Sequence, residues 1–151
     1  TKNFLKMIKP VQIQRFSHRL RWFPFLAKLI TYFIRIVFGC YLPYQLNLGK
    51  KFVVGYGGIG IVIHERAIIG EDVHLDQNVT IGGTTKKYEV PKIGNHVYIG
   101  AGAVVLGPIT IGDNVVIGAN SVVVNNIPSN SLAVGVPAKI IKKGITKKQY
   151  V

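Results

Sequence analysis

An aliphatic residue recurs at every sixth position through residues 63–81 and again through residues 93–123. Gly usually follows it, and a small or β-branched residue stands four places after it. An amphipathic helix needs apolar residues three or four apart and an ordinary strand alternates in twos, so neither explains this period. The pattern predicts short strands joined by tight turns, with Ile69 and Ala67 pointing inward and Ile68 outward. One such coil cannot bury its apolar side alone, so coils must stack into a solenoid.

Three segments extend the repeats: VTIGGT at 79–84, IGAGAVVLGPITIGDNVVIGANSVV at 99–123 and VGVPAKII at 134–141. Together with the repeats they resemble the serine acetyltransferase branch of the hexapeptide-repeat acyltransferases, over residues 46–142. The resemblance implies a mainly β fold, a left-handed parallel β-helix with three hexapeptides per triangular coil. It also implies a homotrimer that binds acetyl-CoA in grooves between neighbouring subunits.

The chain divides into a basic, aromatic-rich helical leader at 1–45, a β-helix domain at 46–142 and a basic tail at 143–151. Pro24 is suited to open a helix and Gly39 to close it. Apolar residues at three- and four-residue spacings make this helix amphipathic, and they are Leu26, Leu29, Ile30, Phe33, Ile34 and Val37. Basic residues recur every seven positions on another face, at Arg21, Lys28 and Arg35.

The sequence leaves two environments open for this helix. Its apolar face packs against the β-helix or the same helix of another subunit, or the helix lies peripherally on an anionic membrane surface. Lys28 and Arg35 argue against a membrane span, which needs about 20 largely uncharged residues. The apolar stretch begins late and lacks a small-residue cleavage pattern, so no secretory signal is expected and the predicted location is cytoplasmic.

Charge and composition restrict the partners. The chain carries 19 Lys and Arg against 6 Asp and Glu, for a net charge of +13, which favours anionic partners such as CoA phosphates or an acidic membrane. Nucleic acid is not expected, because the repeats offer no recognition helix and no run of exposed aromatic residues. The single cysteine, Cys40, excludes an internal disulfide and is expected to be buried. Dispersed histidines and the lack of a carboxylate cluster predict no metal site.

Acetyl transfer to a hydroxyl needs a base for the proton and donors for the oxyanion. The resemblance implies catalytic histidines in a DH-x-x-G-I-V segment and an R-H-P-K-I segment, and the matching stretches here read GYGGIGIV at 55–62 and EVPKI at 89–93. The first histidine falls on Tyr56 or Gly57 and the second on Val90, so neither is retained. Tyr56 is a poor base at neutral pH but a fair hydrogen-bond donor, and packing alone would also explain it.

Other histidines are therefore candidates for the base. His64 points out of the coil just after the Gly-rich segment and is the leading candidate, although a residue that only hydrogen-bonds a turn fits equally. His74 and Asp76 face outward from one strand about 7 Å apart, as a base dyad or a solvated pair. Glu65, through the resemblance, and Asp76 are the expected acceptor-binding residues, the alternative being solvated charges.

The expected acetyl-CoA contacts are small residues beside inward aliphatics, where a pantetheine arm can approach the backbone, and a lysine for the phosphates. They are Gly82, Gly83, Ala101, Ala119 and Lys139, with Lys142, Lys143, Lys147 and Lys148 as further cations. The alternative is that the glycines only make turns. Residues 84–92 break the sixfold pattern, so we expect a loop that helps to shape the acceptor pocket.

These features predict an acetyl-CoA-dependent O-acetyltransferase that acts on a hydroxyl of a sugar or surface-polysaccharide precursor. The basic, aromatic leader resembles that of acetyltransferases of capsule and lipopolysaccharide assembly, and the sugar acceptor rests on this resemblance. Two alternatives remain: a serine O-acetyltransferase with a rearranged base, and a non-catalytic β-helix that serves in assembly.

Overall fold

A computed structural model describes residues 9–151, in which two α-helices precede a β-helix. Helix α1 is Pro10–Arg19 and helix α2 is Pro24–Phe38. Both helices begin at proline, which suits the first turn because a backbone N–H there would have no hydrogen-bond partner within the helix. Helix α2 ends at Gly39, which has the left-handed conformation. The helix predicted after Pro24 is therefore confirmed. The first eight residues of the predicted leader lie outside the described residues.

The β-helix has three faces, each a sheet whose strands come from successive coils. The first face contains β1 (Val53–Val54), β4 (His74–Leu75), β7 (Tyr98–Ile99), β10 (Val116–Ile117), β12 (Ser131–Gly135) and β13 (Ala138–Lys143). The second face contains β2 (Val62–Ile63), β5 (Thr80–Gly82), β8 (Val104–Leu106) and β11 (Val122–Val123). The third face contains β3 (Ile68–Ile69), β6 (Lys92–Ile93) and β9 (Thr110–Ile111). Neighbouring strands are parallel, except that β13 is antiparallel to β12.

Strand pairing on the second face gives the length of a coil. Val104 pairs with Val122, 18 residues later, which equals three hexapeptides. Thr80 pairs with Val104, 24 residues later, so one coil contains six additional residues. They belong to the segment between β5 and β6, which confirms the loop that the break in the sixfold pattern predicts.

The core is a column of inward aliphatic side chains. Ile69 and Ala67 are buried whereas Ile68 between them is 56% exposed, as the alternation predicts. The equivalent buried positions on the second face stack in register, and they are Ile63, Ile81, Val105 and Val123. Each fully buried aliphatic stabilises the fold by about 1.5–3 kcal/mol, so stacking supplies the stability that one coil lacks. Cys40 is buried at the first coil, as expected, and burial raises its pKa to about 11.

The helices pack on the first coil and against each other. In α1, Gln14 Nε2 donates to the carbonyl oxygen of Leu46 at 2.8 Å. The buried residues of α2 are Ala27, Thr31 and Ile34. Ala27 lies against α1, whose Ser17 Oγ donates to the Ala27 carbonyl oxygen at 3.0 Å. Of the six residues predicted to form the apolar face of α2 only Ile34 is buried. Most of the predicted apolar face is therefore exposed.

Asp72 ties successive coils together at the corner between the third and first faces. His96, one coil later, donates from Nδ1 to Asp72 Oδ2 at 2.9 Å, and Lys147 Nζ lies 3.0 Å from Oδ1. Lys147 Nζ also donates to the Asp72 carbonyl oxygen at 2.6 Å. The hydrogen bond from His96, with that from Lys147, holds the pKa of Asp72 below its usual range. Lys147 is buried here, so it does not provide the additional cation for CoA phosphates that the sequence suggested.

We expect Asp72→Asn to lower the free energy of unfolding by about 1 kcal/mol at neutral pH, a modest value because the carboxylate is partly exposed. The folded-state pKa is lowered, so the carboxylate contributes stability above its unfolded pKa of about 3.9 and loses it as the pH falls through the folded value. Urea unfolding at one protein concentration should therefore show a difference at pH 7 that shrinks in acid. Glu89→Gln, in the exposed loop, is the control and should change stability little; a difference that grew in acid would contradict the assignment.

Candidate active site

His64 lies at the corner where the second face turns toward the third, directly after β2. It lines a cavity of about 270 Å³ together with Glu65 and Gly82. The remaining lining residues are Tyr41, Val62, Ile63 and Ile81. The structure therefore brings three predicted site residues together: a histidine, a carboxylate and a glycine.

The backbone holds the His64 ring in one orientation. The N–H of Arg66 donates to His64 Nδ1 at 3.1 Å. A neutral imidazole carries one proton, so this hydrogen bond places it on Nε2 and makes that nitrogen a donor. A Cβ at Gly83 would lie 3.9 Å from Nε2, so the missing side chain leaves room beside the donor. This geometry favours donation to an oxyanion over the base role that the sequence suggested for His64.

Val90, which stands where the family pattern has its second histidine, lies at the same corner. A Cβ at Gly83 would come within 3.3 Å of Val90 Cγ1 and 3.7 Å of His64 Cδ2. The loop that carries Val90 is held by Tyr88, whose ring centroid is 3.9 Å from the guanidinium carbon of Arg66. The loop therefore lies next to the His64 cavity. The imidazole of His64 is close to Val90, the position at which the family pattern has its second histidine.

Glu65 gives this cavity a negative charge. Its Oε2 accepts a hydrogen bond from Gln45 Nε2 at 3.0 Å. Burial, followed by the Glu65 charge, raises the pKa of Tyr41, so Tyr41 remains a neutral phenol. A carboxylate beside a neutral phenol suits a cationic group such as an ammonium. The repeat pattern did not identify Tyr41, because it precedes the first repeat.

A second cluster lies on the first face around His74 and Asp76. His74 Nε2 is 3.3 Å from Asp76 Oδ1, and the two side chains are only 23% and 17% exposed. They do not form the solvated pair that was one alternative. The carboxylate favours a proton on Nε2, which leaves Nδ1 unprotonated and able to accept a proton.

Tyr98 completes this cluster from the next coil. It pairs with His74 in parallel register, and the two rings meet edge to face with centroids 5.4 Å apart. Its hydroxyl donates to Asp76 Oδ2 at 2.6 Å. Burial and this hydrogen bond raise the pKa of Tyr98 to about 12. Since both oxygens of Asp76 are engaged, its contacts favour orienting His74 over direct contact with the acceptor.

Tyr56 lies next to this cluster, in the turn at Gly55–Gly58. Its φ of 49° is in the left-handed region and its side chain is 78% exposed. A Cβ at Gly55 would lie 2.7 Å from Asp76 Oδ1, so the turn sits directly on the carboxylate. The imidazole of His74 therefore lies near Tyr56, the position at which the family pattern has its first histidine.

The predicted cofactor contacts lie at separate places. Gly82–Gly83 borders the His64 cavity, whereas Ala101 and Ala119 lie on successive coils at the corner between the first and second faces. Lys139 is exposed on β13. A Cβ at Gly100 would lie 2.8 Å from the backbone nitrogen of Ala119, so coil stacking is sufficient to explain this glycine.

Comparison with known proteins gives a consistent set of relatives. A family model described as bacterial transferase hexapeptide (six repeats) matches residues 91–125. The chain is 45% identical over 120 residues to a serine acetyltransferase of Staphylococcus xylosus, covering 78% of this chain and 55% of the relative. It is 41% identical over 133 residues to a serine acetyltransferase of Helicobacter pylori, covering 85% of this chain and 77% of the relative. A crystal structure of serine acetyltransferase from Brucella abortus in complex with coenzyme A has a TM-score of 0.85 and 32% identity, covering 90% of this chain and 56% of that one.

The comparisons confirm the predicted left-handed parallel β-helix with an N-terminal helical segment. They contradict the predicted sugar or surface-polysaccharide acceptor, because the relatives and structural neighbours are named serine acetyltransferases. The basic leader, on which that acceptor rested, is therefore not a guide to the acceptor. The chain spans about half the length of the Staphylococcus relative and of the Brucella structure.

Proposed function

The chain belongs to the serine acetyltransferase family, and we propose that it transfers the acetyl group of acetyl-CoA to the side-chain hydroxyl of L-serine. The observation that carries the proposal is the similarity to the Helicobacter pylori relative, which extends over most of both chains. The neighbour named as a complex with coenzyme A supports the donor. His64 and His74 offer a proton donor and a proton acceptor for this reaction, and Glu65 offers a negative charge for the ammonium group of serine.

We further propose that a homotrimer assembles the complete site. The His64 cavity and the His74 cluster lie at different faces of one chain, so a single chain does not bring the proposed base, His74, together with the Nε2–H donor of His64. A neighbouring subunit, as the family resemblance implies, would place one cluster opposite the other. The acetyl-CoA thioester then lies between a proton acceptor and a proton donor.

The proposed reaction follows from the two tautomers. The Nδ1 of His74 accepts the hydroxyl proton of serine as its oxygen attacks the thioester carbonyl carbon. The carbonyl oxygen becomes an oxyanion and accepts a hydrogen bond from Nε2–H of His64, with Tyr56 as a further donor. Collapse of the tetrahedral intermediate breaks the carbon–sulfur bond, and the departing CoA thiolate takes the proton from His74. Asp76 and Tyr98 hold the base in place throughout.

Glu65 is the proposed contact for the ammonium group of serine. We expect Glu65→Gln to raise KM for L-serine about tenfold while CoA affinity stays within a few-fold, because the lost ion pair concerns the acceptor alone. Initial rates over a serine titration at saturating acetyl-CoA measure this. Glu71→Gln serves as the matched control, since that exposed carboxylate lies at the corner between the third and first faces, away from the His64 cavity. An unchanged KM in Glu65→Gln would remove Glu65 from the site.

Lys139 is the proposed contact for the CoA phosphates. We expect Lys139→Gln to weaken CoA binding about fivefold to tenfold, as for the loss of one charge-assisted hydrogen bond, without lowering stability. Lys147→Gln should do the reverse, because the Lys147 ammonium is bonded to Asp72. Calorimetric titration with CoA and thermal melting of both variants separate the two roles. Weaker CoA binding in Lys147→Gln alone would reverse the assignment.

The decisive experiment measures CoA release and O-acetylserine formation with purified protein, acetyl-CoA and L-serine. Sugars and a reaction without acceptor serve as controls, and we expect product with L-serine only. CoA binding without acetylation of L-serine would overturn the acceptor. Failure to bind acetyl-CoA would favour the non-catalytic β-helix, the second candidate, which the loss of both family histidines at Tyr56 and Val90 supports.

A further inference from the structure

Helix α2 exposes an apolar surface much larger than the one it buries. Its buried residues are Ala27, Thr31 and Ile34, of which Ile34 belongs to the hydrophobic core of the β-helix. Seven large apolar residues on its other side are between 46% and 83% exposed, and they are Phe25, Leu26, Leu29, Tyr32, Phe33, Ile36 and Val37. We call these seven residues the outer face of α2. Single exposed apolar residues are normal on protein surfaces, but a contiguous patch of this size marks an interaction site.

The outer face is continuous. At about 100° per residue, its members follow one another around the helix without a polar residue between them and span an arc of about 140°. Lys28 and Arg35 lie together along the edge that begins at Tyr32. At the start of the helix, Trp22 and Phe23 are 80% and 67% exposed and prolong the apolar surface. The arrangement is apolar in the middle, basic along one edge and aromatic at one end.

The charges beside the outer face are mainly basic. Glu65 is an acidic side chain near its basic edge, where it lines a cavity together with Lys28 and Tyr32. No Asp or Glu precedes Glu65 in the chain, whereas ten of the 19 Lys and Arg residues do. A second copy of this helix packed on the first would bring basic edges together with no acidic residue of either helix to neutralise them. A surface that combines an apolar layer with anionic groups complements both features.

We propose that the outer face of α2 docks this protein on an anionic phospholipid surface, independently of its proposed activity. The helix lies in the plane of the interface, with its seven apolar side chains at the level of the acyl chains and Lys28 and Arg35 among the headgroup phosphates. Across residues 9–151 no helix has the length and apolar character needed to traverse a bilayer. Trp22 enters the headgroup region, where indole rings favour the boundary between apolar and polar layers.

Trp22 is the only tryptophan in the chain and provides a built-in reporter. We expect vesicles of phosphatidylcholine with 30% phosphatidylglycerol to bind the protein on sedimentation and to shift the Trp22 emission to shorter wavelength. Pure phosphatidylcholine vesicles should bind about tenfold less, and 0.5 M salt should weaken the anionic interaction, because screening shortens the reach of the charges.

Two pairs of variants test the surface. Phe33→Ser with Ile36→Ser should lower partitioning tenfold or more, whereas Ile68→Ser with Ile141→Ser, two apolar residues that are also exposed but lie on the β-helix, should leave it unchanged. Lys28→Gln with Arg35→Gln should lower partitioning about tenfold, with Lys142→Gln and Lys143→Gln as the charge-matched control. All substituted side chains are exposed, so circular dichroism should show folded protein in each case.

Three results would overturn the proposal. The first is wild-type protein that stays in the supernatant with anionic vesicles and an unshifted emission. The second is equal loss of binding in test and control variants, which would indicate nonspecific adhesion through net charge. The third is a Trp22 emission that shifts with protein concentration in the absence of lipid, together with a smaller assembly for Phe33→Ser with Ile36→Ser in sedimentation velocity. That outcome would show that a second copy covers the outer face.

Discussion

Replacing His74 with alanine is expected to lower kcat for L-serine acetylation by about 100-fold or more, the usual scale for losing a general base. CoA affinity should stay within a few-fold, because the imidazole acts on the acceptor proton and not on the cofactor. Steady-state kinetics, with CoA binding measured by calorimetry, test both points.

Matched variants distinguish a base from a structural residue. His96→Ala removes an imidazole from a turn outside both clusters, so kcat should be unchanged after correction for folded protein. Asp76→Asn keeps the size of the side chain but removes the charge that orients His74, and it should lower kcat about tenfold to 100-fold without a change in CoA affinity. If His74→Ala retained full kcat, another residue would have to be the base.

His64 makes the complementary prediction. Its Nε2–H donates in our proposal, and a glutamine amide can also donate whereas it cannot accept a proton as a base. His64→Gln should therefore retain clearly more activity than His64→Ala. Equal losses in both variants would restore His64 to the base role that the sequence suggested. The comparison uses one position, so differences in packing elsewhere do not enter.

The parts of the fold that depend on local period were predictable from the sequence. Ile69, Ala67 and Ile68 have the burial that strand alternation requires, and the loop before β6 appears where the sixfold pattern breaks. Tyr98 had a signal that was available but unused, because it stands one coil after His74 once the loop residues are counted. In a regular solenoid, residues one coil apart in the sequence are neighbours in space, so such partners can be found from their spacing alone.

Other features depend on contacts that no period encodes. The hydrogen bond from Arg66 to His64 fixes a tautomer through the backbone, which residue types do not reveal. Ala27 of α2 is buried and its carbonyl oxygen accepts a hydrogen bond from Ser17 Oγ of α1, a contact between the helices that the spacing of apolar residues does not reveal. The sugar acceptor was mispredicted. It was inferred from the basic, aromatic leader, and the leader does not contain the residues proposed to bind the acceptor.

Several glycines that follow the inward aliphatic residues allow the backbones of successive coils to touch. The sequence spacing suggested only that such glycines make turns or bind the cofactor. At the corner between the third and first faces, Gly49, Gly70, Gly94 and Gly112 form a column along the coils. None of the four has a positive φ, so conformational freedom does not explain them. A Cβ at Gly70 would lie 2.4 Å from the carbonyl oxygen of Gly94, and one at Gly112 would lie 2.5 Å from the backbone nitrogen of Ser129. These glycines are needed because the backbones of successive coils touch there.

We expect Gly70→Ala to lower the free energy of unfolding by about 3 kcal/mol, at the upper end of the cost of overpacking, because backbone atoms cannot move aside as a side chain can. The added methyl group would also disturb the hydrogen bond from the Glu71 N–H to Asn95 Oδ1, 2.9 Å long, which joins the same two coils. Gly82→Ala is the matched control for stability. Its Cβ would meet the Leu106 Cδ2 methyl group at 3.2 Å, which can rotate away, and Thr80 Cγ2 at an ordinary contact distance of 3.8 Å. Urea unfolding at one protein concentration should show a difference of at least 2 kcal/mol between the two variants. Equal stability would mean that the coils can move apart at this corner, so that backbone contact does not set their spacing.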